Sequence, residues 1–521
     1  MEGRKAEFHH DIALLLLLMW VTISECITAD SSARVEFLPG FEGALPFDFF
    51  SGYISVDEVN EYRLFYYLIK SENNPSKDPL LLWLTGGPGC SGFSGLVIET
   101  GPLRIKVEEY NGTLPALRYN PYSWTKVANV IYVDSPIGTG FSYSKSPPDY
   151  ATSDSKTVKD LHKFLTNWFI EYPEFLSNPL YIAGDSYSGI TVPVLTSEIA
   201  NGIDSGYRPV FNLKGYLVGN PVTDVEFDSQ VVPFAHGMGL ISDELFEATK
   251  ISCNGKYAFP KGSQCNLNMQ AVHECLSRIN TPHILEPLCP FASPRPRVEI
   301  GTGLRRWLHE NSSGIHLQST PIFCRTYGYM LSHYWANNER VQEVLHVKKG
   351  TVNEWKRCNY GINFKADVAS SVVYHYNLTM RGYSALIYSG DHDSSVPFIG
   401  TQAWIRSLEF PIIDDWRAWL VDGQVVGYTR KYTNNLTFAT VKGAGHTAPE
   451  YKPKECVAML KRWISNEPFD NPLASSSCEL HIPSNFWGAE FYCSWVLTNL
   501  APAVTIRLAR LHIPLSCAQR S

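Results

Sequence analysis

Charge is scarce in this chain. Asp, Glu, Lys and Arg make up 18% of its 521 residues, against about a quarter in an ordinary soluble domain. The formal net charge is −7, so nothing in the balance favours nucleic acid, and no such partner is expected. Long apolar runs are scarce too. One, Ile12 to Ile23, lies near the N-terminus and is too short to span a bilayer comfortably. Apolar patches in the C-terminal tail are broken by Pro and Arg, so no membrane anchor is expected. The Gly-rich stretch at Gly86 lacks the Gly-Lys-Ser/Thr ending of a phosphate loop. His-Glu-x-x-His and paired Cys-x-x-Cys patterns are missing, which removes the common zinc arrangements. Asp391-His392-Asp393 does gather three ligand-type side chains, but neither a metal nor another cofactor is expected. Repeats and low-complexity segments are also lacking.

What is present points first to a compartment. Arg4 and Lys5 precede the apolar run, diluted by Glu2, Glu7 and Asp11. Cleavage after Cys26 or Ala29 would make residues 1–29 a signal peptide. Twelve cysteines on a secretory route suggest disulfides, and loss of Cys26 leaves an odd number. Sequons begin at Asn111, Asn311, Asn377 and Asn435 and fit the same route. We expect a secretory-pathway protein, extracellular or vacuolar. A hydrophobic share of 44% is ample for a large core. Thirteen Trp and 28 Tyr suggest an aromatic-rich pocket or a glycosylated exterior.

Gly52 to Val56 and Leu64 to Ile69 read as an early antiparallel hairpin. Pro79 to Thr85 is a continuous apolar run stopping at Gly86-Gly87-Pro88-Gly89-Cys90. Such a run followed by glycine is how a buried parallel strand ends in a loop. Val127 to Val133 repeats the pattern. Ser153 to Phe169 has helical period, with Ser153 or Asp154 as cap and Pro173 as stop. Leu180 to Ala183 and Lys214 to Gly219 are further buried strands, and the alternation implies a parallel α/β sheet. From Ile241 to Leu345 the texture changes to clustered cysteines, Pro and Gly, which we read as an inserted lid (241–345). Its stretch Pro290 to Arg297 resembles an exposed linker, within about 290–303. The core (30–240) then resumes over 346–468. Asp422-Gly423 marks a hairpin, and Pro453 to Ile464 an amphipathic helix with Val457, Leu460 and Ile464 on one side. Residues 469–521 do not continue the pattern and receive no function.

Three of these elements end in reactive residues. Leu180 to Ala183 runs into Gly184-Asp185-Ser186-Tyr187-Ser188-Gly189, a variant nucleophile elbow in which a sharp turn presents Ser186. Ala385 to Tyr388 runs into Asp393, and Leu436 to Val441 into His446. The order Ser, Asp, His is that of α/β-hydrolases, and carboxyl ends of open α/β sheets are where sites gather. His446 would take the proton of Ser186, with Asp393 holding the imidazole. Backbone N–H groups at Gly86-Gly87 and Tyr187 would face the oxyanion.

Trp83 to Ser91, Gly184 to Gly189, Gly390 to Asp393 and Gly445 to Tyr451 together resemble the serine carboxypeptidase family, over roughly residues 35–468. The resemblance implies an α/β-hydrolase fold, a mostly parallel central sheet flanked by helices with an inserted disulfide-bonded lid. It implies a Ser186–His446–Asp393 triad and an oxyanion hole of Gly87 and Tyr187. It also implies disulfides Cys90–Cys358, Cys253–Cys265 and Cys289–Cys324, and leaves Cys275, Cys456, Cys478, Cys493 and Cys517 without assigned partners. Cleavage in the linker would give two chains, as in some relatives.

Three departures choose the branch. Peptidases of this family use an Asn before the Gly-Gly, a Glu before the nucleophile and usually a Glu after the histidine to bind a terminal carboxylate. Here Thr85, Asp185 and Thr447 stand there, and with Gly86 they would contact substrate. That set looks like the plant acyltransferase branch, whose enzymes move an acyl group from a 1-O-β-glucose ester to an alcohol or amine. The resemblance therefore implies an acyl-glucose donor and a small acceptor as partners, with a serine-type carboxypeptidase or esterase as the alternative. A protein that keeps the fold but only binds a ligand is disfavoured by the intact triad.

Overall fold

The computed structural model describes residues 34–145, 151–289 and 320–469. The expected signal peptide, Asn311, the linker and nearly all of the tail, with Cys478, Cys493 and Cys517, lie outside those residues.

Among the described residues there are fifteen strands, and eleven of them form one sheet. In chain order they are β1 (Arg34–Val35), β2 (Phe49–Asp57), β3 (Tyr62–Ile69), β4 (Leu80–Leu84), β5 (Leu103–Ile105), β6 (Leu117–Tyr119), β7 (Asn129–Val133) and β8 (Thr152–Ser153). There follow β9 (Leu180–Asp185), β10 (Leu213–Gly219), β11 (Phe364–Lys365), β12 (Ser384–Gly390), β13 (Ile412–Val421), β14 (Gln424–Tyr432) and β15 (Leu436–Val441). The large sheet runs β1-β2-β3-β7-β4-β9-β10-β12-β15-β14-β13. From β7 to β15 every neighbour is parallel. Both flanks are antiparallel, so the sheet is mixed, with the expected parallel order confined to its centre.

Both faces of that centre are covered, which is why its strands read as unbroken apolar runs. Side chains alternate between them. Leu81, Trp83, Tyr132, Leu217 and Leu386 join one core, while Leu82, Ile131, Val218 and Ile387 join the other. The helix Asp154–Glu171 begins at Ser153, whose side chain accepts the Lys156 N–H as a cap. It packs on the second face with the helix Ser188–Asp204. Asp422 and Gly423 have φ of 49° and 73°, the paired left-handed residues of a tight hairpin turn between β13 and β14.

Between β10 and β12 the chain forms a set of helices, among them Val231–Gly237, Asp243–Ser252, Ser263–Leu276 and Arg325–Ala336. The first three enclose a small core of their own around Val232, Cys265 and Val272. That core takes in residues upstream of position 241, where the insertion was expected to start. Disulfides join Cys253 to Cys265, Cys289 to Cys324 and Cys90 to Cys358. Cys275 and Cys456 are free. Among the described residues no helix is long and apolar enough to cross a membrane.

One reading of the sequence needs correction. Aromatic richness is a core property here, since seven of the 13 tryptophans are fully buried. The helix Pro453–Ile464 buries Cys456, Met459 and Leu460, and the expected Val457 and Ile464 pack, partly buried, against the same core.

Candidate active site

Ser186 sits between the end of β9 and the helix Ser188–Asp204 with φ of 54°. A non-glycine residue in the left-handed region is strained by about 1–3 kcal/mol and persists only where its surroundings hold it. Here the Ser186 N–H donates to Gly219 C=O and its carbonyl accepts from Val222 N–H, each at 2.9 Å. Gly184 is required because a Cβ there would lie 2.5 Å from Leu84 O and 2.8 Å from the Ser188 side chain. The serine in place of the usual second glycine is thus accommodated, while Gly189 supplies the close approach to Val222.

His446 and Asp393 arrive at the same edge from the loops after β15 and β12. His446 Nε2 lies 2.8 Å from Ser186 Oγ, and Nδ1 lies 2.7 Å from Asp393 Oδ2. The carboxylate fixes the proton on Nδ1, so Nε2 presents its lone pair to the serine hydroxyl. Asp393 is fully buried and also accepts from the backbone N–H groups of Ser395 and Val396. Burial alone would hold the His446 pKa down; the charge and hydrogen bond of Asp393, helped by Asp185, push it above the usual imidazole range. The three side chains singled out from sequence therefore form one hydrogen-bonded line.

The loop after β4 lies against the elbow. A Cβ on Gly86 would stand 2.6 Å from Ser186 Cβ and 2.9 Å from Tyr187 N, so only glycine lets the two backbones meet. Gly87 has φ of 121°. Asp185 Oδ1 accepts the Gly86 N–H at 3.1 Å, which ties the loop to the residue beside the nucleophile. Burial pushes the Asp185 carboxyl up to about 6. Thr85 has a buried hydroxyl without a hydrogen-bond partner. The Thr447 hydroxyl donates to Glu450 Oε2 at 2.6 Å.

Four further residues escaped the sequence reading. Asn220 donates to Asp393 Oδ2 at 2.9 Å and accepts the Gly390 N–H at 3.0 Å. Its signal was its place after a buried strand, masked by the turn-like Asn-Pro pair. Glu99 accepts from Trp83 Nε1 at 3.1 Å, and burial raises its carboxyl far above the usual range. An acid inside the apolar run Leu96 to Glu99 was the available signal. Arg357 lies 4.3 Å over the Tyr329 ring, and its charge favours the ionised forms of Asp185 and Glu99. Glu450 gathers Thr447, Tyr329 and Arg325. Asp391 and His392 point elsewhere: Asp391 accepts from His392 Nδ1 at 2.5 Å and from Gly443 N–H at 2.7 Å.

Of the expected glycosylation sites, Asn111, Asn377 and Asn435 are exposed.

A fold with a serine elbow, a buried acid and a histidine in this order has known counterparts. The serine carboxypeptidase family model matches residues 39–466. Serine carboxypeptidase-like 10 of Arabidopsis thaliana is 49% identical over 457 residues, covering 87% of this chain and 98% of the relative. Serine carboxypeptidase-like 7 of the same plant is 48% identical over 458 residues, covering 87% and 98%. Among solved structures, a prohormone-processing carboxypeptidase from Saccharomyces cerevisiae superposes with a TM-score of 0.65 at 20% identity, covering 84% of this chain and 96% of that one. That likeness is one of fold. With the family model spanning strands β2 to β15 and every loop that carries the site, the chain belongs to the serine carboxypeptidase family and has its α/β-hydrolase fold.

Proposed function

We propose that this chain is a serine-dependent acyltransferase that moves an acyl group from a 1-O-β-glucose ester to an alcohol or amine. The observation that carries the acyl chemistry is the Ser186–His446–Asp393 line, with 2.8 Å and 2.7 Å contacts. Ser186 Oγ attacks the ester carbonyl while His446 Nε2 takes its proton. The N–H groups of Gly87 and Tyr187 stabilise the oxyanion, and glucose leaves with the proton returned by His446. An acceptor hydroxyl or amine then loses its proton to His446 and attacks the acyl-enzyme. The choice of donor rests on Thr85, Asp185 and Thr447 standing where family peptidases carry carboxylate-binding groups.

One feature favours a carboxypeptidase instead. With its carboxyl at about 6, Asp185 is protonated in acid and can donate to a substrate carboxylate. Incubating the purified protein with an aromatic acyl-glucose, candidate acceptors and a blocked dipeptide separates the two. Acyl transfer is expected, lost in Ser186→Ala; peptide cleavage without transfer overturns the proposal. Three disulfides and an expected leader support a route through the secretory pathway to the vacuole or the exterior, with Asn111, Asn377 and Asn435 as glycan sites.

A further inference from the structure

The segment inserted between β10 and β12 grips the histidine turn from two sides. On one side, His446 N–H donates to Pro282 C=O at 2.7 Å, and Ser394 N–H donates to Thr281 C=O at 3.0 Å. On the other, Arg325 and Tyr329 stand one turn apart on the helix Arg325–Ala336 and both reach Glu450. Tyr329 Oη donates to its two oxygens at 3.0 and 2.9 Å, and Arg325 Nη1 lies 3.4 Å from Oε1. Glu450 follows His446 by one turn and takes the Thr447 hydroxyl at 2.6 Å. Its side chain is only 7% exposed. Arg325 is braced in turn by Glu286 at 3.1 Å and by the Tyr451 ring at 4.1 Å. Burial and the Glu450 charge hold the Tyr329 phenol far above its usual pKa, so it stays a donor at every pH of interest. A carboxylate this covered, with three donors converging on it, is a fixed joint between two parts of the chain.

We propose that Glu450 is a latch that holds residues 281–286 and 325–336 against the histidine turn beside the acyl-enzyme and so sets its partition between acceptor and water. This rests on the acyl-enzyme reading of Ser186. Both fates use the same steps. The incoming oxygen bonds to the acyl carbon, its proton moves to His446 Nε2, the Ser186 Oγ–acyl bond breaks, and Oγ takes the proton back. Water and an acceptor alcohol differ only in access and binding, so discrimination between them falls to the residues held beside His446 rather than to the chemistry. Glu450 acts through the segment it holds and is a positioning residue.

Glu450→Gln keeps the shape and removes the charge; Tyr329→Phe removes the single phenol donor shared by the two carboxylate oxygens. With an aromatic acyl-glucose and a saturating alcohol acceptor, both variants should raise the ratio of free acid to transferred product about 5-fold or more. That rise should exceed any change in the rate of the glucose burst. Amide hydrogen exchange should quicken over 281–286 and 325–336 while β9 and β10 keep their protection. An unchanged ratio in both variants, or unchanged exchange over those segments, overturns the latch. Absence of a glucose burst in the parent protein overturns the acyl-transfer reading of Ser186 instead, and the exchange data still decide whether Glu450 holds the segment.

Discussion

Asn220 donates its side-chain N–H to Asp393 Oδ2 at 2.9 Å, the oxygen that also faces His446. Its own oxygen takes the Gly390 N–H, so one amide joins the loop after β10 to the end of β12. With φ of 41°, the residue occupies a backbone region where Asn is tolerated far better than most. It orients the acid that orients the base.

Removing that amide should therefore act on turnover. Asn220→Ala is expected to lower kcat by roughly 10–100-fold with KM little altered. The lost hydrogen bonds should also cost about 1–3 kcal/mol of stability. Steady-state kinetics and urea unfolding check both. An equal rise in KM with unchanged kcat would place Asn220 in substrate binding instead.

Gly86 gives a second handle on the chemistry. A methyl group there would stand 2.6 Å from Ser186 Cβ, so the loop carrying Gly87 must move away from the elbow. Gly86→Ala should reduce kcat by about 10²–10³-fold, the scale of a lost oxyanion donor. Labelling of Ser186 by an organophosphonate should slow in proportion. Wild-type turnover in this variant would remove the Gly86–Gly87 loop from the oxyanion hole.

Where the sequence was readable and where it was not follows from how local each signal is. Ser186 and His446 each end an apolar run in glycine, and Asp393 stands three residues beyond Gly390, so the edge of a parallel sheet could be inferred before any contact was known. Asn220 ends such a run too, but its Pro neighbour reads as a turn. Glu450 meets Arg325 and Tyr329 across more than a hundred residues, and no pattern in the chain encodes that meeting.

Asp185 should set the acidic edge of the activity profile. The working base is neutral His446, so kcat/KM should rise with pH through the raised imidazole pKa. Ionised Asp185 contributes to that raise. Asp185→Asn keeps an acceptor for the Gly86 N–H and deletes the charge. His446 then loses its proton more readily, and the acidic limb should move to lower pH by roughly half a unit or more. The carboxyl itself titrates at about 6, so the wild-type limb belongs to the pair and should sharpen to one ionisation in the variant. A limb that stays in place or moves to higher pH would show that Asp185 acts on the loop alone.

His375 should make the fold sensitive to acid. It is fully buried, its Nδ1 lies 2.8 Å from Tyr216 Oη, and burial pushes its pKa down to about 3. In the unfolded chain the same imidazole titrates near its ordinary value of about 6.5. Above that value neither state binds the proton and the group is neutral to stability. Below it the unfolded chain binds a proton that the folded one refuses, so stability falls as pH drops from about 6.5 toward 3. Between pH 7 and pH 5 this one residue should remove about 2 kcal/mol. His375→Asn keeps an acceptor near the Tyr216 hydroxyl and abolishes the titration. Urea unfolding at the two pH values should then show the variant losing about 2 kcal/mol less than the parent. Equal losses in the two proteins would mean that His375 is not the group refusing the proton.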